Sequence, residues 1–108
     1  MSKKIRIINK LGRDNIHENL ALKGETAITY VLSDAEYKIA LFKKLQEEVN
    51  EFLEEPIPEE LADILEVIHA LAPIVAGSWE ELEKVRKEKL AFRGGYEKKL
   101  FLVEIHEK

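Results

Sequence analysis

Residues 45–83 read LQEEVNEFLEEPIPEELADILEVIHALAPIVAGSWEELE. This stretch contains twelve Asp or Glu residues and no Lys or Arg, whereas all 17 Lys and Arg residues of the chain lie outside it. On both sides of Pro56 and Pro58, apolar residues recur every three or four positions, which is the spacing of amphipathic helices. Because only a few residues connect the two patterns, they predict two helices that pack antiparallel as a hairpin.

Start and stop signals set the bounds of the two hairpin helices. The segment 33–36, Ser-Asp-Ala-Glu, has the form of a capping box and predicts a helix that begins at its second residue and ends near Glu54. Pro58 suits the first position of the second helix, where its missing N–H is not needed. We expect Pro73 to interrupt or kink this helix and Gly77 to end it.

Shorter elements are predicted on either side of the hairpin. A second capping box, Ser78 to Glu81, starts a third helix that stops at Gly94. A short helix is expected over residues 14–22. Thr, Ile, Tyr and Val also favour short strands, which are predicted near the two ends of the chain at 5–11, 26–32 and 100–105. The predicted fold is mainly α, with a four-helix-type bundle forming on oligomerisation and short terminal β-strands.

Composition restricts the class of protein. The chain has 108 residues, which predicts a single domain over residues 1–108. Its net charge of -4 argues against a nucleic-acid partner, and its lack of cysteine excludes disulfides and thiolate metal sites. We find no apolar run of membrane-spanning length and no signal-peptide core. A cytoplasmic protein with neither a membrane nor a nucleic-acid partner is expected.

Helix geometry turns some carboxylates of the acidic stretch inward. At about 100° per residue, Glu48 lies beside the apolar stripe of its helix and Glu60 lies within the apolar arc of the next. Glu51 and Asp63 flank them, one turn away. A carboxylate on a packing face is costly unless it is neutralised. We therefore predict that these four residues bind Mg²⁺, or alternatively Mn²⁺, both of which prefer oxygen ligands.

Two other interpretations of the acidic stretch stay open. The carboxylates would also be expected on a solvated acidic face, in which case the chain is a non-catalytic helical interaction module that binds a basic partner. A di-iron centre is disfavoured because it needs histidines at helical spacing. The only histidine on the two hairpin helices, His69, falls opposite the apolar arc, where we expect it on the surface.

The motifs Glu47-Glu48-x-x-Glu51 and Glu60-x-x-Asp63 resemble the metal motif of the MazG-like, all-α nucleoside triphosphate pyrophosphohydrolases. The flanks resemble a small branch labelled house-cleaning or phosphoribosyl-ATP pyrophosphohydrolase-like. There the matching segments are residues 9–16, NKLGRDNI, and Lys89-x-x-x-Arg93-Gly94-Gly95-Tyr96. The chain departs from the pattern at Gly12, Asn15 and Tyr96.

The resemblance implies Mg²⁺-dependent hydrolysis between the α and β phosphates of a nucleotide, giving a monophosphate and pyrophosphate. Glu47 is then a candidate for orienting or deprotonating the attacking water. The substrate would be a nucleoside triphosphate or phosphoribosyl-ATP, and the sequence does not choose between them.

A polyphosphate also needs cations, which must come from outside the acidic stretch. The predicted phosphate-binding residues are Lys10, Arg13, Lys44, Lys89, Arg93, Gly94 and Gly95. The resemblance also implies a homo-oligomer, either a dimer or a tetramer, built from four-helix units. The thin core of a two-helix hairpin agrees with this, because Phe42, Phe52, Ile64 and Ile68 leave apolar surface to cover.

Overall fold

The computed structural model describes residues 4–108 and is mainly helical, as predicted. Its helices are α1 (Ile16–Ala21), α2 (Asp34–Glu54), α3 (Pro58–Ala76) and α4 (Trp79–Arg93). The antiparallel hairpin of the sequence analysis corresponds to α2 and α3, which pack against each other.

Serine caps begin α2 and α4. The Glu36 backbone N–H donates to Ser33 Oγ at 3.2 Å, and the Ser33 N–H donates to Glu36 Oε1 at 3.0 Å, which completes the predicted capping box of α2. At α4 the Glu81 N–H donates to Ser78 Oγ at 3.1 Å. Both caps satisfy a backbone N–H that has no partner within its helix.

The α3 helix begins at Pro58 and ends at Gly77, whose φ of 92° is a conformation that favours glycine. Both bounds agree with the sequence prediction. Pro73 does not interrupt the helix, since α3 continues through this residue, and a kink there stays a prediction. A proline removes one backbone hydrogen bond, and packing of α3 against α2 and α4 offsets that loss.

The predicted strands are not found in residues 4–108, where the segments 5–11, 26–32 and 100–105 have no strand pairing. Side chains in these segments are largely exposed, including Ile28 and Val31. Their β-branched composition suits a strand, but a strand needs a neighbour that completes its backbone hydrogen bonds. No such neighbour lies beside them within the described part of the chain.

The first helix is shorter than predicted. It spans six residues rather than the expected 14–22, and Asn15 at its start makes no side-chain capping hydrogen bond. The chain then turns at Gly24, which has a φ of 73°. This backbone conformation favours glycine and is common just after the end of a helix.

The buried core is small and lies between α2 and α3. Its buried apolar residues are Leu41, Val67 and Ala72. The α4 helix contacts α3 and makes no contact with α2 among the described residues. The radius of gyration is 19.2 Å, whereas a compact domain of this length has about 13 Å. The chain therefore forms a hairpin with extended flanks.

Within residues 4–108, no single helix is long and apolar enough to cross a membrane. The α3 and α4 helices reach that length and composition only when they are taken together, and they are bent by 94° relative to each other.

Candidate metal site

The most unusual side chain of the hairpin is Glu48, a buried carboxylate with only 6% of its surface exposed. Lys44, one turn earlier on α2, places its Nζ 3.4 Å from Glu48 Oε1. The second oxygen, Oε2, is buried and has no hydrogen-bond partner, and the same is true of Glu60 Oε2 on α3. Buried carboxylate oxygens without a partner are costly, so these two glutamates are candidates for binding a cation.

Asp63 completes a group of three carboxylates with these two glutamates. One oxygen from each of Glu48, Glu60 and Asp63 lies within 4.8 Å of the others. Glu60 and Asp63 are one helical turn apart, and the antiparallel packing brings Glu48 opposite them. Oxygens on opposite sides of one Mg²⁺ or Ca²⁺ ion are about 4–5 Å apart. The three residues therefore fit a divalent cation with small side-chain movements.

The electrostatics of the group also favour a cation. Burial raises the pKa of the Glu48 carboxyl group, and the negative charge of Glu51 raises it further, while Lys44 opposes the rise. Burial also raises the pKa of Glu60, helped by the charges of Asp63 and Glu48. Both shifts mean that ionisation of Glu48 and Glu60 is unfavourable in the folded protein without a metal. A divalent cation would offset that free-energy cost.

Glu51, the fourth predicted ligand, lies beside the other three. It is half-buried and close enough to act on the charges of both Glu48 and Glu60. It is not among the three carboxylates whose oxygens lie within 4.8 Å of one another. Its role as a ligand stays a prediction.

Glu47, the candidate for handling the attacking water, is held by two lysines. Lys10 Nζ lies 3.1 Å and Lys44 Nζ 3.6 Å from its Oε1. At about 100° per residue Glu47 points away from the apolar stripe of α2, but only 22% of its side chain is exposed. The N-terminal segment explains the difference, because it crosses this side of α2 and brings Lys10 with it.

Three of the predicted phosphate-binding residues lie at the carboxylates. Besides Lys10 and Lys44, Arg13 places Nη2 3.2 Å from Asp63 Oδ1. The site thus combines five carboxylates, Glu47, Glu48, Glu51, Glu60 and Asp63, with three cationic side chains. When all are ionised the group has a net charge of −2, which one divalent cation balances.

The other four predicted phosphate-binding residues lie at the far end of α4 and beyond it: Lys89, Arg93, Gly94 and Gly95. The α4 helix leaves the end of α3 opposite to Glu60, about 24 Å further along the helix axis. It then runs nearly perpendicular to α3. The fold does not bring these residues to the carboxylates of the same chain, and their binding role stays a prediction.

One contact was missed in the sequence. His69 is exposed, as predicted, but it also stacks on Trp79 of α4 with a ring-centroid distance of 3.7 Å. An apolar groove along the exposed side of α3 is lined by Pro58, Leu61, Ala62, Ile64, Leu65 and Ile68. Ile64 and Ile68 were predicted to leave apolar surface, and the spacing of four residues between Leu61 and Leu65 was a signal for the rest of the groove.

No family model, no curated protein and no solved structure matches the chain.

Proposed function

We propose that the chain is a Mg²⁺-dependent nucleotide pyrophosphohydrolase of the MazG-like type. It would hydrolyse a nucleoside triphosphate, or phosphoribosyl-ATP, between the α and β phosphates, in the manner of a nucleotide-pool house-cleaning enzyme. One observation carries the proposal. Glu48 Oε2 and Glu60 Oε2 are buried without partners, and these two residues form a group of three carboxylates with Asp63.

This observation favours a metal site over a solvated acidic surface. A surface that docks a basic partner would keep its carboxylates in water, where they cost nothing until the partner arrives. Here Glu48 is buried and Glu60 is half-buried, both on the face between the two helices. Several anions crowded together repel one another by about 1 kcal/mol or more for each close pair. A divalent cation removes both this repulsion and the cost of burial.

The side chains divide the chemistry between them. Glu48, Glu60 and Asp63 would hold the Mg²⁺, with Glu51 beside them. When bound, Mg²⁺ supplies a Lewis acid for the phosphate oxygens and lowers the pKa of a bound water. Glu47 lies at the edge of this group, with Lys44 Nζ 3.6 Å from its Oε1, and it would orient the attacking water and accept its proton.

The cationic side chains that already lie at the site would bind the phosphates. Lys10 and Arg13 come from the N-terminal segment, and both side chains are more than half exposed. They are therefore able to reach an incoming phosphate without disturbing the hairpin. Arg13 suits this role because its guanidinium group binds two phosphate oxygens at once.

We also propose that the working form is a homo-oligomer. The chain exposes 10429 Å² of surface, whereas a compact monomer of its mass exposes about 6,200 Å². The excess is several times the surface that one partner buries in a standard interface, about 800 Å². The apolar groove of α3 is the part of this surface best suited to a second copy, since packing there would align two hairpins as a four-helix bundle.

The test is pyrophosphate release from a panel of nucleotides, with and without Mg²⁺. The panel contains the common ribo- and deoxyribonucleoside triphosphates, oxidised triphosphates and phosphoribosyl-ATP. We expect at least one substrate to be hydrolysed only with Mg²⁺ or Mn²⁺, and Glu48→Gln to lose that activity. The matched control is Glu66→Gln, which changes an exposed glutamate on α3.

The proposed activity is wrong if no nucleotide is hydrolysed with either metal, or if Glu48→Gln is as active as the wild type. Absence of both hydrolysis and metal binding would leave a non-catalytic acidic module as the remaining interpretation.

A further inference from the structure

The segment before α2, residues 4–32, forms a small unit with its own side-chain contacts. We term this segment the N-terminal arm. Arg6 Nη2 lies 2.8 Å from Glu25 Oε2, and His17 Nε2 lies 2.9 Å from Thr29 Oγ1. Its helix, α1, makes no contact with the other helices of the described chain. The arm is therefore not held in place by helix packing.

Two ion pairs connect the arm to the hairpin, and both end on carboxylates of the candidate metal site. Lys10 contacts Glu47 on α2 at 3.1 Å, and Arg13 contacts Asp63 on α3 at 3.2 Å. The arm thus crosses from one hairpin helix to the other. Exposed ion pairs of this kind contribute about 0–1 kcal/mol each, so the connection is weak and easily exchanged.

A metal and the arm compete for the same negative charge. Asp63 is one of the three carboxylates that fit a divalent cation, and Arg13 already contacts one of its oxygens. A cation with two charges, held by three carboxylates, reduces the attraction between Asp63 and Arg13 and repels the guanidinium group. The same positive charge acts on Lys10, whose partner Glu47 precedes Glu48 on α2.

We propose that the N-terminal arm is a latch that closes over the carboxylates when no metal is bound and that a divalent cation releases. The released Lys10 and Arg13 are then free to bind the phosphates of a nucleotide held at the metal. The latch rests on the metal site of the proposed function and does not depend on hydrolysis. The latch couples metal binding to phosphate binding, because Lys10 and Arg13 pair with carboxylates in the metal-free state and with phosphates in the metal-bound state.

The distance between the arm and the hairpin tests the latch directly. The chain has no cysteine, so a double variant Glu18→Cys, Glu66→Cys takes two spin labels at exposed positions on α1 and α3. Labelled protein is diluted with unlabelled protein, so that the measured distances lie within one chain. The control pair is Lys43→Cys, Glu66→Cys, with both labels on the hairpin.

We expect one narrow distance for the arm pair without metal and a broad distribution with saturating Mg²⁺. The hairpin pair should not change. Adding Arg13→Gln to the arm pair should give the broad distribution even without metal.

The reciprocal effect is measured by calorimetry of Mg²⁺ binding. Removing the competing cation in Arg13→Gln should tighten Mg²⁺ binding by about three- to fivefold, because linkage between two ligands is mutual. Arg86→Gln is the matched control, since Arg86 pairs with Glu83 at 2.9 Å on α4 and with similar exposure. Its affinity for Mg²⁺ should equal that of the wild type.

The outcomes separate the latch from the proposed function. If calorimetry shows Mg²⁺ binding while the arm distances stay narrow, the latch is wrong and the metal site stands. If wild-type protein binds no Mg²⁺, both the latch and the proposed metal site are wrong. Weaker Mg²⁺ binding by Arg13→Gln would also overturn the latch, because it would show that the arm supports the metal.

Discussion

The two faces of α3 depart from the usual distribution of residues in opposite directions. On the face toward α2, Glu60 and Asp63 are turned into the packing surface, and Glu60 has a buried oxygen without a partner. On the opposite face, Leu61 and Leu65 are 53% and 50% exposed. Within the same two turns of α3, charged side chains therefore face the other helix and apolar side chains face solvent.

The difference supports a different proposed ligand for each face. The inner face has excess negative charge, which a metal ion would balance, and the outer face has excess apolar area, which another protein surface would cover. A chain that worked as a monomer without a cofactor would be expected to expose its carboxylates and bury its leucines. The four predictions below test the two faces, beginning with the largest expected effect.

Charge on the outer face should dissociate the oligomer. The double variant Leu61→Asp, Leu65→Asp places two carboxylates in the apolar groove of α3. Each buried leucine contributes about 1.5–3 kcal/mol, so the dissociation constant should rise by about 1,000-fold or more. Light scattering coupled to gel filtration measures the change. Ala91→Asp is the control, since it adds a carboxylate at an exposed position on α4. A wild-type chain that is monomeric at high concentration would contradict the role of the groove.

Loss of a carboxylate on the inner face should weaken metal binding. We expect Asp63→Asn to reduce the affinity for Mn²⁺ by about 10- to 100-fold, the scale on which even residues around a metal site act. The change also frees Arg13 from its ion pair, so the loss in affinity cannot come from a stronger latch. Electron paramagnetic resonance of free Mn²⁺ gives the affinity. If Asp63→Asn and the exposed control Glu66→Gln bind Mn²⁺ with equal affinity, Asp63 is not a ligand of the metal.

Metal affinity should fall on acidification. The pKa values of Glu48 and Glu60 are both raised above the ordinary value of 4.5. Protons therefore begin to compete with the metal at a pH above that value. We expect a constant affinity in the neutral range and then a fall of about tenfold for each pH unit below the raised pKa of one carboxyl group. Titration of Mn²⁺ binding from pH 8 to pH 4.5 measures it, and an affinity that stays constant throughout would contradict the site.

Glu48→Gln should stabilise the protein without metal. The folded state holds the Glu48 proton more tightly than the unfolded chain does, so the ionised group is a cost at neutral pH. That cost disappears as the pH falls through the raised pKa, because the carboxyl group is then protonated in the folded state. At pH 7.5 with a chelator, the Tm of Glu48→Gln should exceed that of the wild type by about 4 °C.

The control for this last prediction is again Glu66→Gln, which should leave the Tm unchanged. The difference between Glu48→Gln and wild type should also vanish near pH 4. An unchanged or lower Tm at pH 7.5 would mean that Lys44 already compensates the Glu48 charge.

Local signals in the sequence were sufficient to predict the helices of the hairpin. The capping box at Ser33 and the proline at position 58 set the starts of α2 and α3, and Gly77 set the end of α3. These signals act over a few residues, through backbone hydrogen bonds and allowed dihedral angles. The inward positions of Glu48 and Glu60 also followed from helical periodicity, because the helices are long and regular.

Predictions that depended on distant partners were less successful. The β-branched segments near the ends of the chain were expected to be strands, but a strand requires a neighbour that composition does not specify. The position of Lys89 and Arg93 relative to the carboxylates depended on the direction of α4, and the 94° bend after α3 carries them away. The motif groups Lys89 and Arg93 with the carboxylates in one predicted site, whereas the bend separates them from the carboxylates of the same chain.

The sequence by itself determined that this protein has a helical hairpin with two carboxylates turned toward its packing face, because helix starts, ends and faces are set by local chemistry. The tertiary structure decided how closely Asp63 approaches them, that Lys10 and Arg13 lie across the same carboxylates, and that the outer face of α3 is left uncovered. These facts depend on how segments far apart in the chain meet, since antiparallel packing and the path of the N-terminal arm set those distances.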